Sequence, residues 1–254
     1  MEVEEGRRDW RQELVLQGYS DKRIVKMYAS RRAALWKAEE ILLPAYFTPG
    51  GVILDVGCGT GRTSIPLAQM GYRVTAIDLS STMIKRAQQE AGRYGAVVDF
   101  RVMDAMHLEF PDETFDDAFF AYNGIELLPG MKGKCRALQE IWRVLKPGGH
   151  LFFTSHSLYA LNDLFFFRMR HVMRFHVARI FKIPIQEQEV GERLIEDFET
   201  GYMQIVAPGA LKQLARDVGF TVVYDNTRRR IEAGKSLGWF MDFEKGERCY
   251  VVQK

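Results

Sequence analysis

The chain has 254 residues, which is enough to bury a full hydrophobic core in one domain. It is 47% hydrophobic and 27% charged, as globular proteins are, and its net charge of +2 does not call for a nucleic-acid partner. Cys58, Cys135 and Cys249 show neither a disulfide framework nor metal-ligand spacing, so we expect no metal and a reducing compartment. The polar start MEVEEGRRDW is unlike a signal peptide, and no uncharged apolar run would span a membrane, so we expect a cytoplasmic protein.

The predicted elements begin with helices over residues 10–47, which Pro49-Gly50-Gly51 ends. Strands and helices alternate from there. The predicted strands are Val52–Val56, Arg73–Ile77, Val97–Val102, Phe115–Ala121 and Leu151–Thr154. The helices between them are Arg62–Met70, a helix from Ser80 or Ser81 to about Tyr94, and Lys132–Leu145. This alternation predicts β-α-β units and a mostly parallel sheet.

Roughly the last hundred residues lack this alternation. Residues 157–182 have helical spacing, 208–217 predict a short helix, and Thr221–Tyr224 and Cys249–Val252 predict two strands. Since we find no helical pattern between these strands, we expect an antiparallel hairpin at the edge of the sheet. The whole is predicted as one domain, 1–254, in four segments: a helical cap (1–48), a core (49–156), a helical insertion (157–210), and a last helix with the hairpin (211–254).

The most informative stretch lies at 52–62, where a strand runs into a glycine-rich turn and a helix follows at once. Gly57, Gly59 and Gly61 permit positive φ and let backbone N–H groups approach a ligand. In open α/β sheets, ligands bind outside the carboxyl ends of the strands, where this turn would lie. The dinucleotide pattern G-x-G-x-x-G requires glycine where this chain has Arg62, which counts against a nicotinamide enzyme.

Three successive strands carry an aspartate at or near their ends: Asp55, Asp78 and Asp104. A carboxylate at Asp78 can accept two hydrogen bonds from vicinal ribose hydroxyls. Asp104 could accept one from an exocyclic amine such as that of adenine. Either aspartate alone is more often a helix cap or a turn residue, but three in succession are much harder to explain in that way.

Four segments together resemble the class I (Rossmann-like) S-adenosylmethionine-dependent methyltransferases. They are ILDVGCGTG at 53–61, AIDLSSTMI at 76–84, DAMHLEFPDETFDDAFF at 104–120 and IWRVLKPGG at 141–149. The resemblance covers about residues 50–156 and favours the small-molecule methyltransferases. It implies S-adenosylmethionine as cofactor. It also implies an α/β three-layer sandwich with a mostly parallel seven-stranded sheet, an antiparallel last strand and helical cap segments.

The resemblance implies cofactor roles for residues at or after the first four strands. Expected around the methionine moiety are Gly57, Cys58, Gly59 and Gly61, with Asp55 supporting the amino group. Expected at the ribose, or between it and the adenine, are Asp78, Leu79 and Met83. Expected around the adenine are Asp104, Ala105 and Met106. Tyr122 and Asn123 would lie beside the reactive methyl group.

The N-terminal helices would lie over the cofactor in this family. An aromatic-plus-arginine helix there can cover the methyl donor and pair with its carboxylate, and we expect Tyr28 and Arg32 to do so. The alternative is a surface helix packed by Leu35 and Trp36.

Methyl transfer from a sulfonium is an in-line displacement whose leaving thioether needs no acid, so positioning can supply much of the acceleration. A base is needed only if the acceptor carries a proton. His156 is the first candidate and Tyr122 the second, with Glu126 close by; the alternative for His156 is a packing or capping role.

The acceptor is predicted to be a small molecule, and nucleic acid is not expected. In this family, methylation of exocyclic amines of bases usually uses an Asn/Asp-Pro-Pro-aromatic turn, where this chain has Ala121-Tyr122-Asn123-Gly124. None of the cysteines fits pyrimidine C5 methylation. The alternatives are a protein or RNA acceptor, or a non-catalytic S-adenosylmethionine-binding scaffold.

Residues 157–182 hold one acidic residue and five lysines or arginines. One helical stripe is formed by Leu161, Phe165, Met169, Val172, His176 and Ile180. We expect this stripe to pack on the domain as a substrate cap. Two alternatives are a pocket lining for an anionic acceptor and a helix lying on a membrane surface.

Overall fold

Residues 9–194, 201–236, 238 and 241–254 are described by a computed structural model. The helices are α1 (Trp10–Ser20), α2 (Lys22–Ser30), α3 (Lys37–Tyr46), α4 (Ser64–Gln69), α5 (Ser81–Tyr94), α6 (Gly130–Val144), α7 (Phe165–Phe181), α8 (Pro208–Val218) and α9 (Arg228–Glu232). The strands are β1 (Val52–Val56), β2 (Arg73–Asp78), β3 (Asp99–Val102), β4 (Phe115–Phe120), β5 (Leu145–His156), β6 (Glu192–Leu194), β7 (Tyr202–Gln204), β8 (Thr221–Thr227) and β9 (Glu247–Gln253).

Seven strands form one sheet in the order β3-β2-β1-β4-β5-β9-β8. The first five pair in parallel, and β9 runs antiparallel to both β5 and β8. This confirms the predicted mostly parallel sheet with an antiparallel last strand. The chain reverses direction across the sheet between β1 and β4, so the carboxyl ends of these strands open a crevice there.

Helices cover both faces of the sheet, because the central strands are apolar on both sides. Leu138 and Ile141 of α6 pack with Leu211 of α8 on one face. Leu42 of α3 and Ile84 of α5 belong to the cluster on the other face. The three-layer sandwich is therefore confirmed. Among the described helices, none is long and apolar enough to cross a membrane.

Several local predictions need correction. The helical region over 10–47 is three helices, because Asp21 caps α2 by accepting from the Arg23 N–H (2.7 Å) and residues 31–36 precede α3 without being helical. The last two strands do pair antiparallel, but α9 and a 3-10 helix (Met241–Phe243) lie between them, and the final strand is the inner one. The hairpin β6-β7 in the insertion was not predicted.

In the insertion, the face of α7 that packs on the domain is not the predicted one. Leu161 precedes α7 and Ile180 lies near its end, and both are exposed. The prediction that the stripe packs on the domain is therefore wrong at Leu161 and Ile180. The buried residue of α7 is Ala178, which lies on another side of the helix. Residues 1–8 and 195–200 of the predicted caps lie outside the described residues, and the segment boundaries at 48, 156 and 210 stay predictions.

Candidate active site

A cavity lies at the carboxyl ends of β1, β2 and β4, and the turn after β1 forms its floor. Gly57 and Gly59 line it with φ of 65° and 54°. A Cβ on Gly59 would meet nothing within 4 Å, so any side chain there would occupy the cavity itself. Cys58 also lines the cavity, and burial holds the pKa of its thiol well above the usual value. Gly61 is not in the wall, because its α-carbon faces Ile65 of α4.

Asp55 lies under this turn, buried and in the cavity wall. Its Oδ2 accepts hydrogen bonds from Thr63 Oγ1 (2.6 Å) and Ser64 Oγ (2.5 Å). Burial raises the pKa of Asp55 to about 6, although the two hydroxyls and the Arg62 charge oppose that rise. A cationic partner such as an ammonium group would stabilise the ionised form of this buried carboxylate.

Asp78 holds the turn from the neighbouring strand. Its Oδ2 accepts from the Gly59 N–H (2.9 Å), and its Oδ1 accepts from the Ser80 N–H (2.8 Å). Both Asp78 and Leu79 line the cavity. Burial raises the pKa of Asp78, against the two backbone hydrogen bonds. Met83, by contrast, is fully buried against Ile24 and Val25 of α2, so it supports the floor and does not line the cavity.

The side of the cavity next to β3 is closed by α1, one of the N-terminal helices that were expected to lie over the cofactor. Asp104 and Ala105 line the cavity as expected, and Asp104 Oδ2 accepts from Gln12 Nε2 (2.8 Å). The wall from α1 comprises Gln12, Val15, Leu16 and Tyr19. These residues are at positions i, i+3, i+4 and i+7, which lie on one helical face, a signal that could have identified them. Met106 lies outside the wall, packed on the main core cluster.

Another side of the cavity is formed by the turn after β4, which was expected beside the reactive methyl group. Tyr122 and Asn123 both have left-handed backbones, with φ of 55° and 61°, an uncommon conformation for side chains with a Cβ. Asn123 N–H donates to Thr154 Oγ1 of β5 (2.8 Å), which holds the turn against the neighbouring strand. Tyr122 lines the cavity; Asn123 does not, and its buried Oδ1 has no hydrogen-bond donor within the described part of the chain.

An aromatic cover closes this side. Tyr28 lines the cavity, and its ring centroid is 6.0 Å from that of Tyr122. Arg31 donates to the Tyr122 hydroxyl and lies over the Tyr28 ring, with its Cζ 5.1 Å from the centroid. Arg31 is in the cavity wall and Arg32 is not, because the backbone is extended at Arg31 and successive side chains point to opposite sides.

Arg62, the residue that replaces the dinucleotide glycine, anchors the cover. It forms an ion pair with buried Glu39 of α3 (2.7 Å), and its Cζ lies 4.9 Å from the Trp36 ring centroid. A glycine at this position would leave the buried Glu39 carboxylate without its ion-pair partner, and of the described groups only the Trp36 N–H would still donate to it.

His156 ends β5, the strand next to β4, and lies outside the cavity wall. Its Nδ1 is 3.1 Å from Oε2 of Glu126, and that carboxylate is buried in the 3-10 helix Gly124–Leu127. The His156 side chain is 36% exposed. Burial lowers the pKa of His156, but the charge and hydrogen bond of Glu126 raise it more, so the pKa lies above its ordinary value. Sequence reasoning noted both residues but not their pairing.

The cavity fits an S-adenosylmethionine molecule on its own chemistry. It offers an open backbone at Gly59, the Asp55 carboxylate for an ammonium group, the Asp78 carboxylate at the end of β2, and the aromatic cover. Among the described residues, no group of three His, Cys, Asp or Glu side chains is placed to hold a metal ion.

Comparison with known proteins agrees with this geometry. A family described as a methyltransferase domain matches residues 53–149. The O-methyltransferase resE of Aspergillus sclerotiorum is 32% identical over 80% of this chain and 69% of its own length. A demethylmenaquinone methyltransferase of Desulfitobacterium hafniense is 39% identical over 40% of each chain. A crystal structure of a methyltransferase from Methanosarcina mazei, dependent on S-adenosylmethionine, has a TM-score of 0.67 at 27% identity, covering 87% of this chain and 98% of that one.

The chain belongs to the class I S-adenosylmethionine-dependent methyltransferases, and S-adenosylmethionine is its cofactor.

Proposed function

We propose that this methyltransferase transfers the methyl group to a hydroxyl oxygen of a small molecule, with His156 as the base. The similarity to the O-methyltransferase of A. sclerotiorum extends over 80% of the chain, well beyond the cofactor-binding segments. The similarity to the demethylmenaquinone methyltransferase covers only 40%. Because the acceptor side differs most between methyltransferases, the longer match favours an oxygen acceptor.

The observation that carries the proposal is the His156–Glu126 pair. A Glu126 carboxylate that accepts from Nδ1–H holds the neutral ring in one tautomer, which leaves the Nε2 lone pair free to take a proton. Glu126 also accepts from the Ser155 hydroxyl (3.1 Å), so its own position is held from β5. A raised pKa makes His156 a stronger base once it is neutral.

When bound, S-adenosylmethionine supplies a methyl group on a sulfonium whose thioether leaves without protonation. Asp55 would hold the ammonium group of the methionine moiety, Asp78 would accept from the ribose hydroxyls, and Arg31 would pair with the carboxylate. Tyr28 and Tyr122 cover the cavity and exclude water. His156 Nε2 accepts the proton of the acceptor hydroxyl as the new oxygen–carbon bond forms.

The test is an acceptor screen with the purified protein. Sets of aromatic and aliphatic compounds that differ only in carrying a hydroxyl, an amine or a thiol are incubated with S-adenosylmethionine. Mass spectrometry should show a gain of one CH2 on hydroxyl compounds, and proton NMR should show an O–CH3 signal. His156→Ala should abolish this product while leaving cofactor binding intact. Methylation confined to amines, thiols, protein or RNA would overturn the proposal.

A further inference from the structure

The surface of α7 is apolar where a folded domain would usually be polar. Phe166, Met173, Val177 and Ile180 are all exposed, with Phe166 at 81% and Ile180 at 73%. Their spacing of seven, four and three residues places them on one helical face, which we call the α7 ridge. More than half of the large apolar side chains exposed in the described residues lie in this ridge, in the chain around it, or on Phe243 beside it. A patch of this kind marks an interaction surface.

The orientation of the ridge is set by contacts on the other sides of α7. Arg174 pairs with Glu187 (2.5 Å), and Arg179 donates to the Gln188 carbonyl (2.9 Å). The Arg193 guanidinium lies 4.7 Å from the Phe167 ring centroid, and Ala178 is buried. The helix is thus attached through residues 187–193, and the ridge faces away from this attachment.

The segment that carries the ridge is net positive, with Asp163 and Glu187 just outside its two ends. Residues 164–186 contain five lysines or arginines and no acidic residue, although the whole chain has a net charge of only +2. The rest of the molecule is therefore net negative. Arg170 and Lys182 are exposed and belong to or directly follow α7. An apolar stripe bordered by cations on an otherwise acidic molecule complements an anionic lipid surface.

We propose that the α7 ridge docks this enzyme on an anionic phospholipid bilayer, with the helix parallel to the surface. Arg170 and Lys182 suit a helix at the headgroup level, with the ridge in the acyl boundary and these two cations at the phosphates. A second copy of the chain fits less well, because a two-fold contact through the ridge would bring two sets of cations together. The proposal goes beyond methyl transfer and holds whichever acceptor is used.

Docking has a consequence for the active site. Residues 157–164 join α7 to His156 at the end of β5, and the Leu161 N–H of this segment donates to the Phe243 carbonyl of the 3-10 helix before β9 (2.8 Å). The side chains of Tyr159 and Phe243 are both exposed and lie next to each other, with ring centroids 6.3 Å apart. Because this connection is short, we expect a docked α7 to hold the end of β5, and with it His156, near the bilayer.

The test is co-sedimentation with vesicles, without cofactor or acceptor, so that its result is independent of the proposed reaction. One set contains phosphatidylcholine and phosphatidylglycerol at about three to one, the other phosphatidylcholine alone. We expect binding to the anionic set only, and weaker binding at high salt. The double variant Phe166→Glu/Ile180→Glu should bind at least about tenfold more weakly. Arg170→Gln/Lys182→Gln should lower binding by about tenfold.

The matched control is Val97→Glu, which places the same charge on a side chain that is 90% exposed and precedes β3, away from α7. It should bind vesicles as the unmodified protein does, and all variants should keep the thermal unfolding midpoint, because the changed side chains are exposed. Absence of binding to anionic vesicles, equal binding to both sets, or an equal loss in Val97→Glu would overturn the proposal. So would a dimer in sedimentation velocity that the ridge variant converts to a monomer.

Discussion

The floor of the cavity and its cover are built in different ways. The floor is held by short contacts between adjacent strand ends, such as Asp78 with the N–H groups of Gly59 and Ser80. The cover is held by contacts between residues about ninety positions apart, Gln12 with Asp104 and Arg31 with Tyr122. We infer that the floor keeps its shape without the cover, whereas the cover depends on the floor.

The largest expected effect is on the methyl-transfer step and not on cofactor binding by the floor or the cover. His156→Ala should lower kcat by about 10²–10⁴-fold, because the acceptor proton loses its base, while the cofactor dissociation constant stays unchanged. Single-turnover rates measure this. His150→Ala is the matched control, a histidine in the middle of the same strand, 3.4 Å from Asp117. A loss below about threefold in a chemistry-limited assay would end the assignment of His156.

Glu126→Gln gives the pH signature of the pair. Because Glu126 raises the pKa of His156 and a base acts when neutral, the rate should rise with pH through that pKa. Removing the charge should shift this acid limb to lower pH. The raised pKa also means that the pair stabilises the fold below the unfolded-state pKa of histidine, and that this is lost as pH rises through the folded-state pKa. An unshifted limb would contradict the positioning role.

The next effect tests the floor. Asp78→Ala should weaken S-adenosylmethionine binding by about 1–3 kcal/mol, because the ribose hydroxyls lose their acceptor. Calorimetric titration measures it, and NADH should give no signal. Asp99→Ala, an exposed aspartate at the start of β3, is the control. An unchanged dissociation constant for Asp78→Ala would remove this residue from the site.

A smaller effect concerns pH and Asp55. Since burial raises the pKa of Asp55 to about 6, the ionised form that binds an ammonium group is present above that pH and is lost below it. Cofactor affinity should therefore fall by about tenfold between pH 7.5 and pH 5. Asp55→Asn should bind weakly and without this dependence. Affinity of the unmodified protein that is flat across this range would show that Asp55 is not the ammonium partner.

The smallest effect tests the cover through two adjacent arginines. Arg31→Ala should weaken cofactor binding by about fivefold, because an exposed guanidinium contributes on the order of 1 kcal/mol to a carboxylate. Arg32→Ala should leave binding unchanged, since Arg32 is not in the cavity wall. Parallel titrations decide between them. Equal losses would indicate a general charge effect, and a larger loss for Arg32→Ala would restore the sequence-based expectation.

The floor was predictable from the sequence because its determinants are local. A buried strand, a glycine turn and a following helix occur together within 52–69, Asp78 is the last residue of β2, and Asp104 lies two residues after β3. Some side chains close to the wall in sequence were not predictable in this way. Met83 and Met106 lie within three residues of the wall residues Ser80 and Ala105, but they pack on hydrophobic clusters of the core.

The sequence by itself determined the α/β class, the position of the glycine turn and the family, because strand–turn–helix patterns and strand-end carboxylates are local in the chain. Only the tertiary structure decided that Arg31 and not Arg32 lines the cavity, that Gln12 meets Asp104, that Glu126 pairs with His156, and that the α7 ridge faces outward. These contacts depend on how segments that are distant along the chain pack together, and no local pattern specifies that packing.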